Sequence, residues 1–171
     1  MQRIKIIKTD ITTLNVDAIV NAAKPNLLGG GGVDGAIHRA AGVKLREACM
    51  KLGGCATGEA KLTIGFNLLA KHVIHTVGPR YNDGSHNETD LLKKCYISCL
   101  NLAVSNHIKT LAFPSISTGV YGYPIEKASE IALTTISKFL ETNNSLEQIY
   151  TVCFSDNDYY IYTTTYERLC K

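Results

Sequence analysis

Short apolar runs alternate with segments of helical period along nearly the whole chain, and that alternation decides the fold class. Arg3 to Lys8 alternates polar and apolar residues, which predicts a half-buried strand near a sheet edge. Asp17-Ala18-Ile19-Val20-Asn21 is an apolar run closed by a polar residue, as a buried strand would be. From Gly35 to Leu52, Ile37, Ala40, Ala41, Leu45 and Ala48 recur at helical spacing. Lys61 to Gly65 and the β-branched stretch His72 to Val77 read as strands, the second stopped by Gly78-Pro79. Residues 88–107 read as a helix with Leu91, Leu92, Cys95, Cys99, Leu102 and Ala103 on one face. Thr110 to Phe113 is a strand stopped by Pro114, and Pro124 to Leu140 a helix with proline in its first turn. Ile149 to Phe154 is a further strand, and Asp156 is placed to cap a last helix. Strands and helices in this rhythm predict an α/β sandwich with a largely parallel sheet.

The length of 171 residues suits one domain, 1–171, able to bury a sizeable core. Hydrophobic residues at 45% and charged residues at 19% exclude disorder, collagen and coiled coil. A net charge of +3 is too small for an electrostatic nucleic-acid binder, and no basic stripe or stacking platform is visible, so nucleic acid is not an expected partner. The charge is uneven: residues 1–51 hold eight Lys/Arg against four Asp/Glu, the rest ten against eleven. The first third therefore faces something anionic, or is simply a solvated surface. No stretch reaches the roughly 18 apolar residues of a membrane span, and the N-terminal run is broken by charge, unlike a signal peptide. The six cysteines, at 49, 55, 95, 99, 153 and 170, form no C-x-x-C pair, and no histidine stands at zinc-finger spacing. They read as reduced thiols of a cytoplasmic protein, with Cys95 and Cys99, four apart on one helix, as core-packing residues and no metal site expected.

In parallel sheets ligands bind beyond the carboxyl ends of the strands, which singles out the segments after Asn21, Pro114 and Phe154. The first contains Gly29-Gly30-Gly31-Gly32-Val33-Asp34-Gly35 leading into a helix. Unshielded glycine N–H groups at a helix N-terminus make a cradle for an anion, phosphate above all. Gly30-x-Gly32-x-x-Gly35 matches the dinucleotide fingerprint in form, but its first glycine lies too far from the strand end and no strand-end acid follows. Gly30-x-x-x-x-Gly35 has P-loop spacing, but Ala36-Ile37 stands where Lys-Ser/Thr must be. The second segment, Pro114 to Pro124, offers small residues and hydroxyls for a second phosphate-contacting loop, with Tyr121 between glycines to lie against a sugar or base.

Taken in order, Thr9-Asp10-Ile11-Thr12, Asp17 to Ala23, Gly29 to Gly42, Thr57-Gly58-Glu59-Ala60, His75-Thr76-Val77-Gly78-Pro79 and Phe113 to Pro124 resemble a macro domain of the MacroD type over nearly the whole chain. The resemblance implies a three-layer α/β/α sandwich with a six-stranded mixed sheet. It implies ADP-ribose as ligand, with hydrolysis of mono-ADP-ribosyl esters on acidic side chains of proteins and deacetylation of O-acetyl-ADP-ribose. It implies no metal or redox cofactor. By position, Asp10 would accept from the adenine amine and Ile11 offer its N–H nearby. Gly30, Gly31, Gly32 and Val33 would follow the distal phosphate and ribose. Ser117, Thr118, Gly119, Val120 and Tyr121 would form the second loop, with Tyr121 over the distal ribose. Phe154 would lie against adenine or pack in the core, and Asn21 would touch the distal ribose. Asp34 would position the attacking water, cap its helix, or both. His38, one turn on, would support Asp34 or the ribose pocket, or be a satisfied core histidine.

Position 24 departs from the family pattern: Lys24 stands where the family has a second asparagine. An ammonium only donates, whereas an amide donates and accepts. Lys24 would reach the diphosphate, pair with Asp34, or point to solvent. The alternative to an enzyme is therefore a reader that binds ADP-ribose with weak or no turnover. No residue forces dimerisation, so a monomer is expected.

Overall fold

The computed structural model describes residues 2–171. Six strands form one sheet: β1 (Ile4–Lys8), β2 (Ala18–Ala22), β3 (Ala60–Ile64), β4 (His72–Thr76), β5 (Thr110–Phe113) and β6 (Gln148–Cys153). Their order is β1-β6-β5-β2-β4-β3. Every neighbouring pair is parallel except β3 with β4. The mixed, largely parallel sheet is thus present, with β1 at an edge as its alternating sequence predicts.

Side chains alternate across the sheet and divide the core in two. Ala18, Val20, Ile74, Leu111 and Phe113 point toward α3 (Glu88–Ser105), α4 (Ile125–Thr142) and α5 (Asp156–Leu169). Ile19, Val73 and Ala112 point the other way, against Ile37, Ala41, Leu45 and Cys49 of α1 (Gly32–Ala41) and α2 (Val43–Leu52). The result is three layers. Asp17 fixes the register at the entry of β2 by accepting the N–H groups of Lys109 and Thr110 at 2.9 and 3.0 Å.

Two expectations are corrected. The segment Gly35–Leu52 is not one helix: α1 ends and α2 begins at Gly42, whose φ of 88° only glycine adopts readily. The cap of α5 is Ser155, not Asp156; its hydroxyl accepts from the Asp158 N–H at 3.1 Å. Five of the six cysteines are buried and no disulfide forms, and both Cys95 and Cys99 pack in the core between the sheet and α3. Among the described residues, no helix is long and apolar enough to cross a membrane.

Candidate functional site

The carboxyl ends of β1, β2, β5 and β6 open onto one cleft of about 630 Å³. This is where a parallel sheet leaves its loops free to converge. The glycine segment forms one lip. Gly31 caps α1 without a side chain, and the first helical bond runs from the Gly35 N–H to the Gly31 carbonyl at 3.2 Å. The N–H groups of Gly32, Val33 and Asp34 precede that bond and have no partner within the helix. Gly31 to Asp34 line the cleft, so the positive end of α1 faces it.

Asp34 is only 4% exposed. Its Oδ1 accepts from Asn21 Nδ2 at 2.8 Å and lies 3.4 Å from His38 Nε2. Its Oδ2 is buried with no protein partner. Asn21 is fully buried, and its Nδ2 also lies 3.2 Å from His75 Nδ1. The His75 Nε2 is 2.9 Å from Thr63 Oγ1. Burial, and then the neighbouring His38, push the His75 pKa down to about 3, so its ring is neutral near pH 7.

The opposite lip is the loop after β5. Tyr123 N–H donates to the Ser117 carbonyl and Gly122 N–H to the Gly119 carbonyl, both at 2.9 Å. Ser117 has a φ of 67° and a buried hydroxyl without a partner. The Arg80 guanidinium lies over the Tyr121 ring, 4.8 Å from its centroid. At the far end, Asp10 Oδ1 accepts from the Thr12 N–H at 2.9 Å and the Thr12 hydroxyl at 2.7 Å, capping a 3-10 turn over Ile11–Thr13. That leaves Asp10 Oδ2 available. Phe154 lies just past β6 and is 84% exposed along this wall.

The sequence model of the family described as Macro domain matches residues 20–132. The chain belongs to the macro domain family. It is 59% identical over 159 residues to a macro domain-containing protein of Chlorobaculum tepidum, covering 93% of this chain and 92% of that one. It is 55% identical over 171 residues to a Citrobacter rodentium protein named O-acetyl-ADP-ribose deacetylase, covering 98% and 94%. Among solved structures, a variant of the Oceanobacillus iheyensis macrodomain with ADP-ribose superposes with a TM-score of 0.94 at 44% identity, covering 98% of this chain and 93% of that one. The Trypanosoma brucei macrodomain in complex with ADP-ribose gives 0.89 at 45% identity, covering 99% and 70%.

In this macro domain the cleft gathers Asp10, Ile11, Lys24, Gly31, Gly32, Val33 and Asp34 with Ser117, Thr118, Gly119, Val120, Tyr121 and Phe154. Asn21 and His38 stand behind Asp34 rather than on the wall. Gly30 is packed against the first turn of α1, its carbonyl 2.3 Å from where a Cβ on Gly35 would sit. Phe154 is not a core residue; the chain leaves the sheet at Cys153 and carries the ring into solvent. Lys24 forms no ion pair with Asp34 among the described residues. Its ammonium and Asp34 Oδ2 each lie 3.2 Å from the point a Gly30 Cβ would occupy, so they flank one spot without touching. The structure adds Arg39 and Arg80 to the cleft wall, and His75 and Thr63 behind Asn21, to the residues the sequence motifs assign to the site. The available signal was a polar residue at an inward position of a buried strand, at His75 as at Asn21.

Proposed function

We propose that this macro domain binds ADP-ribose in the cleft and hydrolyses mono-ADP-ribosyl esters on acidic side chains and O-acetyl-ADP-ribose. The observation that carries this reading is Asp34: a buried carboxylate with one oxygen tied to Asn21 and the other bare at the head of α1. Asp10 and the Ile11 N–H select the adenine edge, since a carboxylate accepts from an exocyclic amine. Phe154 lies against the base. The diphosphate runs between the α1 N-terminus and the Ser117–Tyr121 loop, which donate backbone N–H groups to it. Tyr121 covers the distal ribose, and Asn21, buried behind the acid, acts through its hydrogen bond to Asp34 rather than on the sugar. Asp34 Oδ2 then orients a water at the ester. For a side-chain ester on the anomeric carbon, water attack at that carbon or at the acyl carbonyl gives the same products, ADP-ribose and the free carboxylic acid. For O-acetyl-ADP-ribose, whose acetyl is carried on a ribose hydroxyl, attack at the acyl carbonyl releases acetic acid and ADP-ribose.

Lys24 supports a second reading. Its ammonium stands beside the spot where the water and ribose would meet, and a bound Lys24 would hold the diphosphate while loosening the reacting centre. The chain would then be a reader of ADP-ribosylated proteins. Calorimetry with ADP-ribose, paired with release of ADP-ribose from a glutamate-modified protein, separates the two. Asp34→Asn is expected to keep its affinity and lose about 10²–10⁴ of turnover. Undiminished turnover in that variant removes the role of Asp34. Turnover only in Lys24→Asn establishes the reader.

A further inference from the structure

Asn21 and His75 are the penultimate residues of neighbouring parallel strands, in direct register, and both are fully buried. Thr63, also buried, comes from the antiparallel edge strand β3. None of these three reaches the cleft wall, yet together they lie directly behind Asp34. We propose that His75, held by Thr63, is a positioning residue that fixes the Asn21 amide as a double donor and so aims Asp34. This rests on the role of Asp34 proposed above.

The argument is one of donors and acceptors. A primary amide has two hydrogens on nitrogen and none on oxygen. Asn21 Nδ2 gives one to Asp34 Oδ1 at 2.8 Å. The other points to His75 Nδ1, 3.2 Å away. His75 Nδ1 must therefore be bare, and the ring proton sits on Nε2. There it donates to Thr63 Oγ1 at 2.9 Å, with Cys49 Sγ 3.7 Å from the same nitrogen. The opposite tautomer would set an N–H against the amide N–H. The amide would then turn over and present its oxygen to the Asp34 carboxylate, lone pair against lone pair. Asp34 would lose its only direct hydrogen-bond donor among the described residues and swing, displacing Oδ2. The Asn21 oxygen has no partner in the present orientation, so that orientation is held by the two N–H bonds alone.

The test uses the whole chain, with His75→Leu, His75→Asn, Thr63→Val and Asp34→Asn. Ring ¹⁵N shifts of His75 at neutral pH are expected to show a bare Nδ1 and a protonated Nε2; the reverse overturns the proposal, whatever the activity. His75→Leu is expected to lower kcat roughly 10- to 100-fold, the scale of a 1 Å misplacement. Its KM and ADP-ribose affinity are expected to stay within about threefold, the mark of a loss confined to the transition state. His75→Asn puts an oxygen where Nδ1 stood and is expected to recover most of kcat; a loss equal to that of His75→Leu overturns the role. Thr63→Val removes the acceptor for Nε2–H, and a mixed-tautomer spectrum with a several-fold lower kcat is expected even if His75→Leu does not fold. Full turnover in folded His75→Leu with an inactive Asp34→Asn sinks this inference alone. Full turnover in Asp34→Asn sinks the reading it rests on.

Discussion

At Gly35 an added Cβ would lie 2.3 Å from the Gly30 carbonyl oxygen and 3.0 Å from an Arg39 guanidinium nitrogen. The glycine segment is laid directly on the first turn of α1, and this contact sets how far the cradle stands from Asp34. Gly35→Ala must push backbone, not a flexible side-chain end, so overpacking is expected to cost about 1–3 kcal/mol of stability. Gly31 is the control. Its φ of −90° suits any residue and nothing lies within 4 Å of its added Cβ, so Gly31→Ala is expected to stay within about 0.5 kcal/mol. Denaturant midpoints of the two variants decide, and equal shifts would mean the contact at 35 does not set the packing. That the glycine run leads into a helix at the carboxyl edge of the sheet is legible from the order of the residues. That Gly35 and Gly31 differ in kind is not, because a repeated letter does not say which Cβ would meet backbone.

The helix α3 begins without a side-chain cap: Asn87 sits at a φ of 60° and Glu88 turns back instead. Glu88 is buried, and its carboxylate accepts from the N–H groups of Gly84, Asn82 and His86 at 2.8, 3.1 and 2.5 Å. The polar loop 81–87 is thus wrapped around one carboxylate. Burial alone would raise the Glu88 pKa, but the loop N–H groups outweigh it and bring it to about 2. A depressed pKa in the folded chain means stabilisation that is complete above the ordinary value of 4.5 and is lost as pH falls toward about 2. Glu88→Gln is expected to melt lower than the unaltered chain at pH 6, with faster amide exchange at Asn82, Gly84 and His86. The gap in Tm is expected to narrow steadily between pH 4.5 and 2; a gap independent of pH would show that the charge on Glu88 is not what holds the loop. The consequence reaches the site, because the Tyr81 N–H donates to the Tyr121 carbonyl at 2.8 Å and braces that lip. The element boundaries themselves were legible to within a residue or two wherever proline or β-branched runs stop them, as at Thr110–Phe113. The break at Gly42 was not, because the 3.6-residue pattern continues across a single kinked residue. Nor does a strand's own pattern reveal direction, so the antiparallel setting of β3 had no signal in the residues themselves.

At the scale of the molecule, the first strand pairs with the last: Ile4 to Lys8 stand in register with Ile149 to Cys153. The alternation of strands and helices predicts the class, yet this closure of the sheet by its two sequence ends is a long-range pairing that no local pattern encodes. It has a direct consequence for the cleft. One wall comes from residues 9–11 and 154, at the carboxyl ends of β1 and β6; the other parts come from 22–24, 31–34, 114–115 and 117–121, in the middle of the sheet. A ligand long enough to reach both ends ties together segments that are far apart in the chain, and it binds only when all of them are in place. Binding to the folded chain alone stabilises it by about 2.7 kcal/mol at a ligand concentration of 100 Kd. For a chain of this size, 1 kcal/mol raises Tm by roughly 2–4 °C, so ADP-ribose is expected to raise it by about 5–10 °C. Because binding and turnover draw on different atoms, the rise is expected to be as large in Asp34→Asn. Asp10→Ala is expected to give a smaller rise, since it cuts the ligand loose from the β1 end. Hydrogen exchange should slow at Ile11 and at 118–121 together. Slowing at one wall only, with an undiminished rise in Asp10→Ala, would mean that the ligand occupies half of the cleft and that the base lies elsewhere.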